Sequence, residues 1–311
     1  MRIFRWDLDR TYLDTDIHSV RGMLRTALET AADKRTVPGA APLLRGLVSS
    51  NPDCRVAILS GSPEQLRQVL EEKLNLDGIP VDSLTLKDNL GNITRGRWRA
   101  IRGQLGYKLP ALLEARRQTS LETRESLFGD NSEVDAAIYV LYAEALAGQI
   151  DARSMRRVLR KGGAYDDQVS RSLEALHALP KTDAVDDIFI HLDRGHTSSD
   201  YDLLGRRVTP VHSWVQAAMV LAVRGRLHAH LLPAVADSCV GPQAPPERMA
   251  ALVQDAVRRH LLAMDEARAL LEQLPDTPRW QLALRFLDDL NQPPPDTRRE
   301  TPDYAAFLAT R

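Results

Sequence analysis

Long hydrophobic runs are absent from this sequence, and so is an excess of charge of either sign. None of its 311 residues lies in a stretch that approaches the roughly 20 apolar residues of a transmembrane helix. Lys and Arg total 41 against 42 Asp and Glu, so no global field draws the chain to nucleic acid or to an anionic membrane. These absences exclude a membrane-spanning helix and give no sign of a specific nucleic-acid-binding module.

Cysteine is scarce, and its spacing carries no pattern. The two cysteines, Cys54 and Cys239, are far apart in the sequence and fit no metal-binding motif. A low cysteine count is typical of reducing compartments. Residues 1–9 carry alternating charges and lack the apolar segment of a signal peptide. We therefore expect a cytoplasmic protein.

The first half of the sequence contains strand-like and helix-like segments in alternation. Short, mostly apolar segments predict strands at residues 3–8, 55–59, 81–86, 126–128 and 188–192. Helical periodicity predicts helices at residues 17–34, 41–49, 64–74, 108–117 and 134–146. Strands that alternate with helices need crossover connections, which predicts an α/β fold: a Rossmann-like, three-layer, parallel sheet with helices on both faces.

Two parts of the chain depart from this alternation. Residues 152–179 predict one or two strongly charged helices, and the sequence beyond about residue 227 predicts helices alone. We therefore predict an α/β domain over residues 1–227, with a helical insertion at about 150–182, and a helical C-terminal region over residues 228–311.

The charged insertion has a basic side. Its basic residues recur with the i, i+3 and i+4 spacing of one helix face, at Arg153, Arg156, Arg157 and Arg160. Such a face is either simply solvated or a docking patch for acidic lipid or polyphosphate. For the C-terminal helices we expect a role in binding a partner or in self-association.

A pair of carboxylates lies at the end of the first predicted strand. Asp7 and Asp9 are two residues apart and precede Thr11, so both leave the sheet at the edge where open α/β folds bind ligands. One carboxylate can attack phosphorus and the other can act as general acid and base. The alternative is a solvated strand end with a turn.

A hydroxyl follows the second predicted strand. Ser60 and Gly61 lie at a strand-to-helix turn, where a hydroxyl and backbone N–H groups either bind phosphate or cap the helix. Between this turn and the next motif, Lys108 begins a predicted helix and could hold nucleophile and phosphate together. Lys87 is the alternative candidate for that role.

The third motif places acidic residues after the strand at 126–128. Asp130 and Asn131 follow this strand directly, and Asp135 lies at the start of the next helix. Oxygen ligands of this kind suit Mg²⁺, which keeps several of its waters. An acidic helix N-terminus, favoured by the helix dipole, is the alternative.

The order of these motifs resembles that of the haloacid dehalogenase (HAD) superfamily of hydrolases. The resemblance makes Asp7 the nucleophile and Asp9 the general acid and base. It implies a group of phosphate-binding residues, with Thr11 also bracing the loop, at Thr11, Ser60, Gly61 and Lys108. It implies a Mg²⁺ site at Asp7, Asp9 and Asp130, with Asn131 and Asp135 in supporting positions.

A narrower resemblance covers about half of the chain, roughly residues 2–147. The segments Thr36-Val-Pro-Gly39, Leu59-Ser-Gly-Ser-Pro63 and Phe128-Gly-Asp-Asn-Ser-Glu133 look like the catalytic domain of actin-patch type phosphatidate phosphatases. Members of that family usually carry a further acidic residue beside the second aspartate, where this chain has Arg10.

Little sequence is available between the motifs for a cap domain. Residues 12–51 predict two short helices, and residues 74–108 leave room for one strand and a loop. The resemblance therefore implies a minimal cap over a nearly open site, which suits a bulky phosphomonoester such as a phosphatidate-like lipid, a nucleic-acid end or a phosphoprotein. Later helices acting as a lid would favour a smaller substrate.

The sequence therefore predicts an enzyme. The leading hypothesis is a Mg²⁺-dependent phosphohydrolase that works through an aspartyl-phosphate. One alternative is a non-catalytic binding or regulatory module that keeps the fold. Another is a phosphotransferase that delivers the phosphoryl group to an acceptor other than water.

Overall fold

The computed structural model describes residues 1–15, 29–87, 103–131, 134–192, 196–290, 296 and 298–310. The chain divides into two compact units, each built from separate parts of the sequence. Unit 1 comprises Met1–Arg35, Asp53–Pro210 and Arg298–Arg311, and unit 2 comprises Thr36–Pro52 and Val211–Thr297. Compactness does not measure independent folding, so the predicted domain boundary at residue 227 stays a prediction.

Unit 1 is organised around a six-stranded sheet with the strand order β3-β2-β1-β4-β5-β6. The strands are β1 (Arg2–Trp6), β2 (Cys54–Pro63), β3 (Ser83–Lys87), β4 (Arg124–Asp130), β5 (Val185–His191) and β6 (Val208–Val211). Neighbouring strands run parallel from β3 through to β5. The predicted α/β fold is confirmed, and the central position of β1 brings the carboxyl ends of β2, β1 and β4 side by side.

The helices follow the strands, as parallel connections require. In chain order they are α1 (Ala40–Ser50), α2 (Arg67–Leu76), α3 (Leu105–Arg116), α4 (Asp135–Ala147), α5 (Ala152–Lys161), α6 (Asp166–Ala178), α7 (Trp214–Val223), α8 (Leu232–Val240), α9 (Pro246–Arg258), α10 (Met264–Leu271), α11 (Pro278–Asp288) and α12 (Tyr304–Phe307). Every residue of α4 from Asp135 to Leu146 is buried. None of the helices in the described ranges has the length and apolar content that crossing a membrane requires.

The core of unit 1 contains a charged network among its apolar side chains. Arg5 on β1 donates two hydrogen bonds to Glu125 on β4, from Nε at 2.7 Å and from Nη2 at 3.1 Å. Arg116 at the end of α3 donates to the same carboxylate at 3.3 Å, and the Tyr142 hydroxyl donates to it at 2.9 Å. All four side chains are buried, so Glu125 serves as the counter-ion for two guanidinium groups.

The insertion predicted near residues 150–182 forms two helices, α5 and α6. Met155 and Leu159 of α5 are buried, whereas the four arginines predicted to share one face are exposed. The helix ends beside α3: a Cβ at Gly162 would lie 2.2 Å from Leu105, and one at Gly106 would lie 3.1 Å from Ala164. The basic helix α5 therefore ends against the first turn of α3.

The structure differs from the sequence prediction at two places. Residues 17–28 of the helix predicted at 17–34 lie outside the described residues, and residues 29–34 form a turn, so the predicted C-terminal end of this helix was wrong. The Asp33 carboxylate closes the turn, because it accepts hydrogen bonds from the backbone N–H of Thr30 at 3.2 Å and from the Thr30 hydroxyl at 2.6 Å. Side-chain hydrogen bonds of this kind compete with the backbone hydrogen bonds of a helix. The strand β6 was not predicted because it is short and contains Pro210, which is tolerated at a sheet edge.

Apart from Val211, the last residue of β6, the described part of unit 2 contains only helices and connecting segments. The helix α7 is nearly all apolar and is buried from Trp214 to Leu221, as its hydrophobic sequence predicts. Its one buried amide, Gln216, donates to Leu252 O at 3.0 Å and to Asp255 at 2.7 Å on α9. The prediction of a helical region beyond residue 227 is confirmed.

Candidate active site

The acidic residues of the first and third motifs lie at adjacent strand ends. Asp7 follows β1 directly, and its backbone N–H donates to Phe128 O of β4 at 2.9 Å. Asp130 is the last residue of β4, and both carboxylates are only 2% exposed. Since the carboxyl ends of parallel strands form the ligand-binding edge of an open sheet, this is the predicted place for a site.

Lys108 connects two of the carboxylates. Its Nζ lies 2.7 Å from Asp7 Oδ1 and 2.6 Å from Asp135 Oδ1, and all three side chains are buried. Thr11 donates from Oγ1 to the other oxygen of Asp7 at 3.1 Å. A buried ammonium is stable only when it is paired and hydrogen-bonded. Lys108 of α3, Asp135 of α4 and Asp7 after β1 therefore form one charged cluster.

Three carboxylates could hold a metal ion together. One oxygen each from Asp7, Asp130 and Asp135 lie within 4.8 Å of one another. An all-oxygen donor set of this charge fits a hard divalent cation. The sequence reasoning had placed Asp9 in the metal set and Asp135 in a supporting position, whereas this cluster contains the Asp135 carboxylate.

The Asp9 carboxylate faces the end of β2. Its Oδ2 accepts from Ser60 Oγ at 2.9 Å and from Ser62 Oγ at 2.7 Å. The backbone N–H of Ser62 in turn donates to Ser60 Oγ at 2.9 Å. Sequence reasoning singled out Ser60 but missed Ser62, because β2 was predicted to end at residue 59 and instead extends to Pro63.

Arg10 is a second site residue that sequence reasoning did not identify. Its φ is 61°, in the left-handed region that few non-glycine residues adopt. The Arg10 backbone N–H donates to Leu13 O at 2.7 Å, which closes the turn after Asp9. The side chain returns to the site, where Nε lies 3.5 Å from Asp130 Oδ2.

Lys34 is a further buried cation near Asp9, and it was not among the predicted site residues. Its Nζ lies 3.9 Å from Glu29, and its side chain is only 2% exposed. Burial lowers the pKa of Lys34, and the carboxylates of Glu29 and Asp9 oppose that shift. No motif marks this lysine, because it approaches Asp9 from 25 residues away in the sequence.

The two candidate lysines have different surroundings. Lys87, at the end of β3, donates to Gly103 O at 3.1 Å and lies 5.4 Å from the centre of the Tyr107 ring. Lys108 instead contacts Asp7. The geometry therefore favours Lys108 over Lys87 as the lysine that pairs with the candidate nucleophile.

The remaining predicted site residues lie around this centre. Gly61 leaves room for Gln104, whose side chain would be 2.4 Å from a Cβ at that position. Gly129 is similarly constrained, since its Cβ would lie 2.8 Å from Asp135 Oδ2. Asn131 is 3% exposed at the end of β4. Burial raises the pKa of the neighbouring Tyr139 far above its usual value, so this phenol stays neutral beside the carboxylates.

Comparison with known proteins identifies the domain that carries these residues. Residues 6–157, slightly less than half of the chain, match the family model described as phosphatidate phosphatase APP1, catalytic domain. No curated protein and no solved structure matches the chain significantly. The matched range contains every candidate site residue from Asp7 to Asp135. The resemblance drawn from the sequence is confirmed: this part of the chain is a HAD-like phosphatase domain.

Proposed function

We propose that this phosphatase domain is a Mg²⁺-dependent phosphomonoesterase in which Asp7 is the nucleophile and Asp9 the general acid and base. The observation that carries the proposal is the buried contact of Lys108 with both Asp7 and Asp135, next to Asp130. This arrangement concentrates positive charge where a transferred phosphoryl group would meet the nucleophile. The intact set of charged groups argues against a purely binding or regulatory module.

In the first step an oxygen of Asp7 attacks phosphorus while the bond to the leaving alcohol breaks. Asp9 donates its proton to the leaving oxygen, and an aspartyl-phosphate forms on Asp7. In the second step Asp9 takes a proton from water, which attacks phosphorus and releases phosphate and free Asp7. Ser60 and Ser62 orient Asp9 by binding Oδ2, so Oδ1 is the oxygen that exchanges the proton.

The other residues position and neutralise charge. Lys108 offsets the charge of Asp7 and of the phosphoryl oxygens, and Asp135 holds Lys108 in place. Thr11 fixes the second oxygen of Asp7. Mg²⁺, held by Asp7, Asp130 and the backbone carbonyl of Asp9, would supply electrostatic stabilisation of the phosphoryl oxygens.

A phosphatidate-like lipid is the substrate that we propose. The name of the matched family supports it, and so does the position of α5. Four exposed arginines of α5 lie on a helix that ends against the first turn of α3, the turn that carries Lys108. Peripheral contact of Arg153, Arg156, Arg157 and Arg160 with anionic lipid would bring the site to its substrate.

Two further parts of the proposal concern the rest of the molecule. The C-terminal helices would bind a partner or a second copy of the chain. A cytoplasmic location is supported by Cys54 and Cys239, which are both free thiols, as is usual in reducing compartments.

The test is phosphate release from phosphatidate, an aryl phosphate, nucleotides and a phosphopeptide, with and without Mg²⁺. The proteins are wild type, Asp7→Asn and the control Asp53→Asn, which changes an exposed carboxylate at the opposite end of β2. We expect Mg²⁺-dependent release by wild type and by Asp53→Asn, with phosphatidate the best substrate. Asp7→Asn should lose activity by at least about a thousandfold, as removal of a nucleophile does.

Each departure from this result has a distinct meaning. Activity of Asp7→Asn equal to that of wild type would overturn the assigned nucleophile. Phosphoryl transfer to an added alcohol, with little release of free phosphate, would indicate a phosphotransferase. Release from the phosphopeptide but not from phosphatidate would keep the chemistry and reject the lipid substrate.

A further inference from the structure

In the part of the chain that the structure describes, Lys108 and Arg10 both contact the carboxylate cluster, and they differ in exposure. Lys108 is fully buried and binds two carboxylates at 2.7 and 2.6 Å. Arg10 contacts Asp130 at 3.5 Å, and its side chain is 16% exposed, whereas that of Asp130 is only 2% exposed. Lys108 is therefore enclosed by protein, whereas the Arg10 side chain is in part exposed to solvent beside Asp130.

The backbone directs Arg10 into this position. The turn that holds it is closed by three hydrogen bonds, from the N–H of Arg10 to Leu13 O and from the N–H groups of Tyr12 and Leu13 to Leu8 O, at 2.7 to 2.9 Å. Because Arg10 itself has a φ of 61°, a glycine or asparagine would fit this turn with less strain. An arginine here therefore points to a role for its side chain.

Charge counting indicates what that role is. Among the described residues, Asp7, Asp9, Asp130 and Asp135 carry four negative charges, Lys108 and Arg10 carry two positive charges, and the neighbouring pair of Lys34 and Glu29 adds one charge of each sign. Two negative charges therefore remain for a divalent cation. The ion pair with Arg10 and coordination of a metal both use the carboxylate of Asp130. A guanidinium and a divalent cation beside one buried carboxylate repel each other, so the two compete for it.

We infer that Arg10 is a built-in counter-ion that holds Asp130 in the metal-free site and that a divalent cation displaces. The inference rests on the metal site of the proposed function, and it adds that Arg10 lowers the affinity of that site for the metal. Without a metal, Arg10 keeps the buried Asp130 carboxylate paired, which stabilises the empty site. With a metal, the pair must break, so Arg10 weakens metal binding.

The test measures metal binding and stability of the full chain without any assay of activity. Arg10→Asn removes the charge and tolerates the left-handed backbone. Arg117→Asn removes an equal charge from an exposed position at the other end of α3, nine residues and about 14 Å from Lys108. Titration calorimetry with Mg²⁺ and Mn²⁺ gives the affinities, and thermal unfolding is followed without metal and at saturation.

We expect Arg10→Asn to bind Mg²⁺ at least about fivefold more tightly than wild type, the lower end of typical coupling between sites. Without metal, Arg10→Asn should unfold at a lower temperature than wild type, and at saturating Mg²⁺ this difference should disappear. Arg117→Asn should match wild type in affinity. Arg10→Lys, which keeps the charge, should have an affinity between those of wild type and Arg10→Asn, and it replaces Arg10→Asn if the latter does not fold.

Failure of the inference differs from failure of the proposed function. If wild type binds Mg²⁺, Asp130→Asn abolishes that binding, and the Arg10 variants bind as wild type does, the inference is overturned and the metal site stands. If wild type binds neither Mg²⁺ nor Mn²⁺, both the inference and the metal-dependent function are rejected.

Discussion

Glu125 is a buried carboxylate that holds together two guanidinium groups and a phenol. It is fully buried and accepts hydrogen bonds from Arg5, Arg116 and Tyr142. Removing one partner of a buried ionic network is costly because the remaining charges stay buried without compensation. The network joins β1, β4, α3 and α4, so its loss affects the whole frame on which the candidate site is built.

We predict that Glu125→Gln lowers the free energy of unfolding by about 3–5 kcal/mol, the usual cost of breaking a buried ion pair. Urea unfolding followed by circular dichroism measures the change. The exposed Glu72→Gln is the matched control and should differ from wild type by less than about 0.5 kcal/mol. Equal stability of Glu125→Gln and wild type would show that the network contributes little.

The lowered pKa of Glu125 predicts that the free energy of unfolding depends on pH. Burial raises the pKa of Glu125, but Arg5, Tyr142 and Arg116 outweigh burial and hold the pKa below its ordinary value of 4.5. A depressed pKa in the folded state adds stability at pH above 4.5, and that stability is lost as the pH falls through the folded-state pKa. The free energy of unfolding should therefore fall more steeply below pH 4.5 in wild type than in Glu125→Gln. Parallel curves for the two proteins would contradict this.

Ser62 gives a prediction about catalysis. Its hydroxyl donates to Asp9 Oδ2 at 2.7 Å, so Ser62→Ala should misplace the general acid and base. We expect kcat to fall about tenfold, less than the 10²–10⁴ that general acid–base catalysis contributes, with KM nearly unchanged. Ser83→Ala, at the exposed start of β3, should keep wild-type kinetics. A change in KM alone would assign Ser62 to substrate binding instead.

At the scale of single residues, the sequence identified candidates that lie at the end of a predicted strand. Asp7 and Asp130 could be proposed because strand ends are the usual place for such groups. Arg10, Lys34 and Ser62 could not be, because each reaches the site through a backbone conformation or a contact between distant segments. Ser62 and Asp9, for example, are 53 residues apart.

Helix α5 is the element whose surface most clearly suggests a partner. Met155 and Leu159 attach it to the core, and the opposite side carries the exposed arginines. Arg160 also forms an ion pair with Asp166 at 3.0 Å. The other three arginines form no ion pair within 4.0 Å with any residue that the structure describes, so they are the better probes.

We predict that replacing Arg153, Arg156 and Arg157 together by Gln weakens binding to phosphatidate-containing vesicles by about fivefold per residue, since each basic residue contributes about 1 kcal/mol at an anionic surface. Co-sedimentation with phosphatidylcholine vesicles, with and without phosphatidate, measures the binding. Release of phosphate from a soluble aryl phosphate should not change.

The matched control removes three exposed arginines of unit 2, Arg248, Arg258 and Arg285, and should bind vesicles as wild type does. Equal losses in the two triple variants would mean that overall charge, and not α5, attracts the protein to the membrane. Loss of aryl phosphate hydrolysis in the α5 variant would indicate a structural role for these arginines.

Elements were predictable where their pattern was long and regular. The strands β1, β4 and β5 and the helices α1 and α4 overlap the segments predicted from apolar runs and periodicity. The turn at residues 29–34 was mistaken for helix because the bonds of Thr30 to Asp33 are side-chain effects that periodicity does not record.

On the scale of the whole molecule, a distant segment completes unit 1. Arg298–Arg311 belongs to this unit, and its helix α12 buries Phe307, which is 1% exposed with its ring centre 5.8 Å from that of Tyr201. Unit 2 likewise takes Thr36–Pro52 from an early part of the chain. Local sequence patterns do not predict such exchanges, because they depend on packing between segments far apart in the chain.

We predict that Phe307→Ala lowers the free energy of unfolding by about 3–5 kcal/mol, as removal of a buried aromatic ring does. Phe307→Leu, which keeps most of the volume, should cost less than about 1.5 kcal/mol. Denaturant unfolding of the full chain measures both. If both variants are as stable as wild type, the segment does not stabilise unit 1.

The order of these segments along the chain also has a consequence for biosynthesis. A ribosome makes the sheet of unit 1 first, then residues 211–297 of unit 2, and only afterwards the segment that contains Phe307. While the intervening helices are being synthesised, the surface of unit 1 that Phe307 covers in the folded protein is therefore exposed to solvent. A chaperone that recognises exposed apolar surface on nascent chains would bind the protein during that interval.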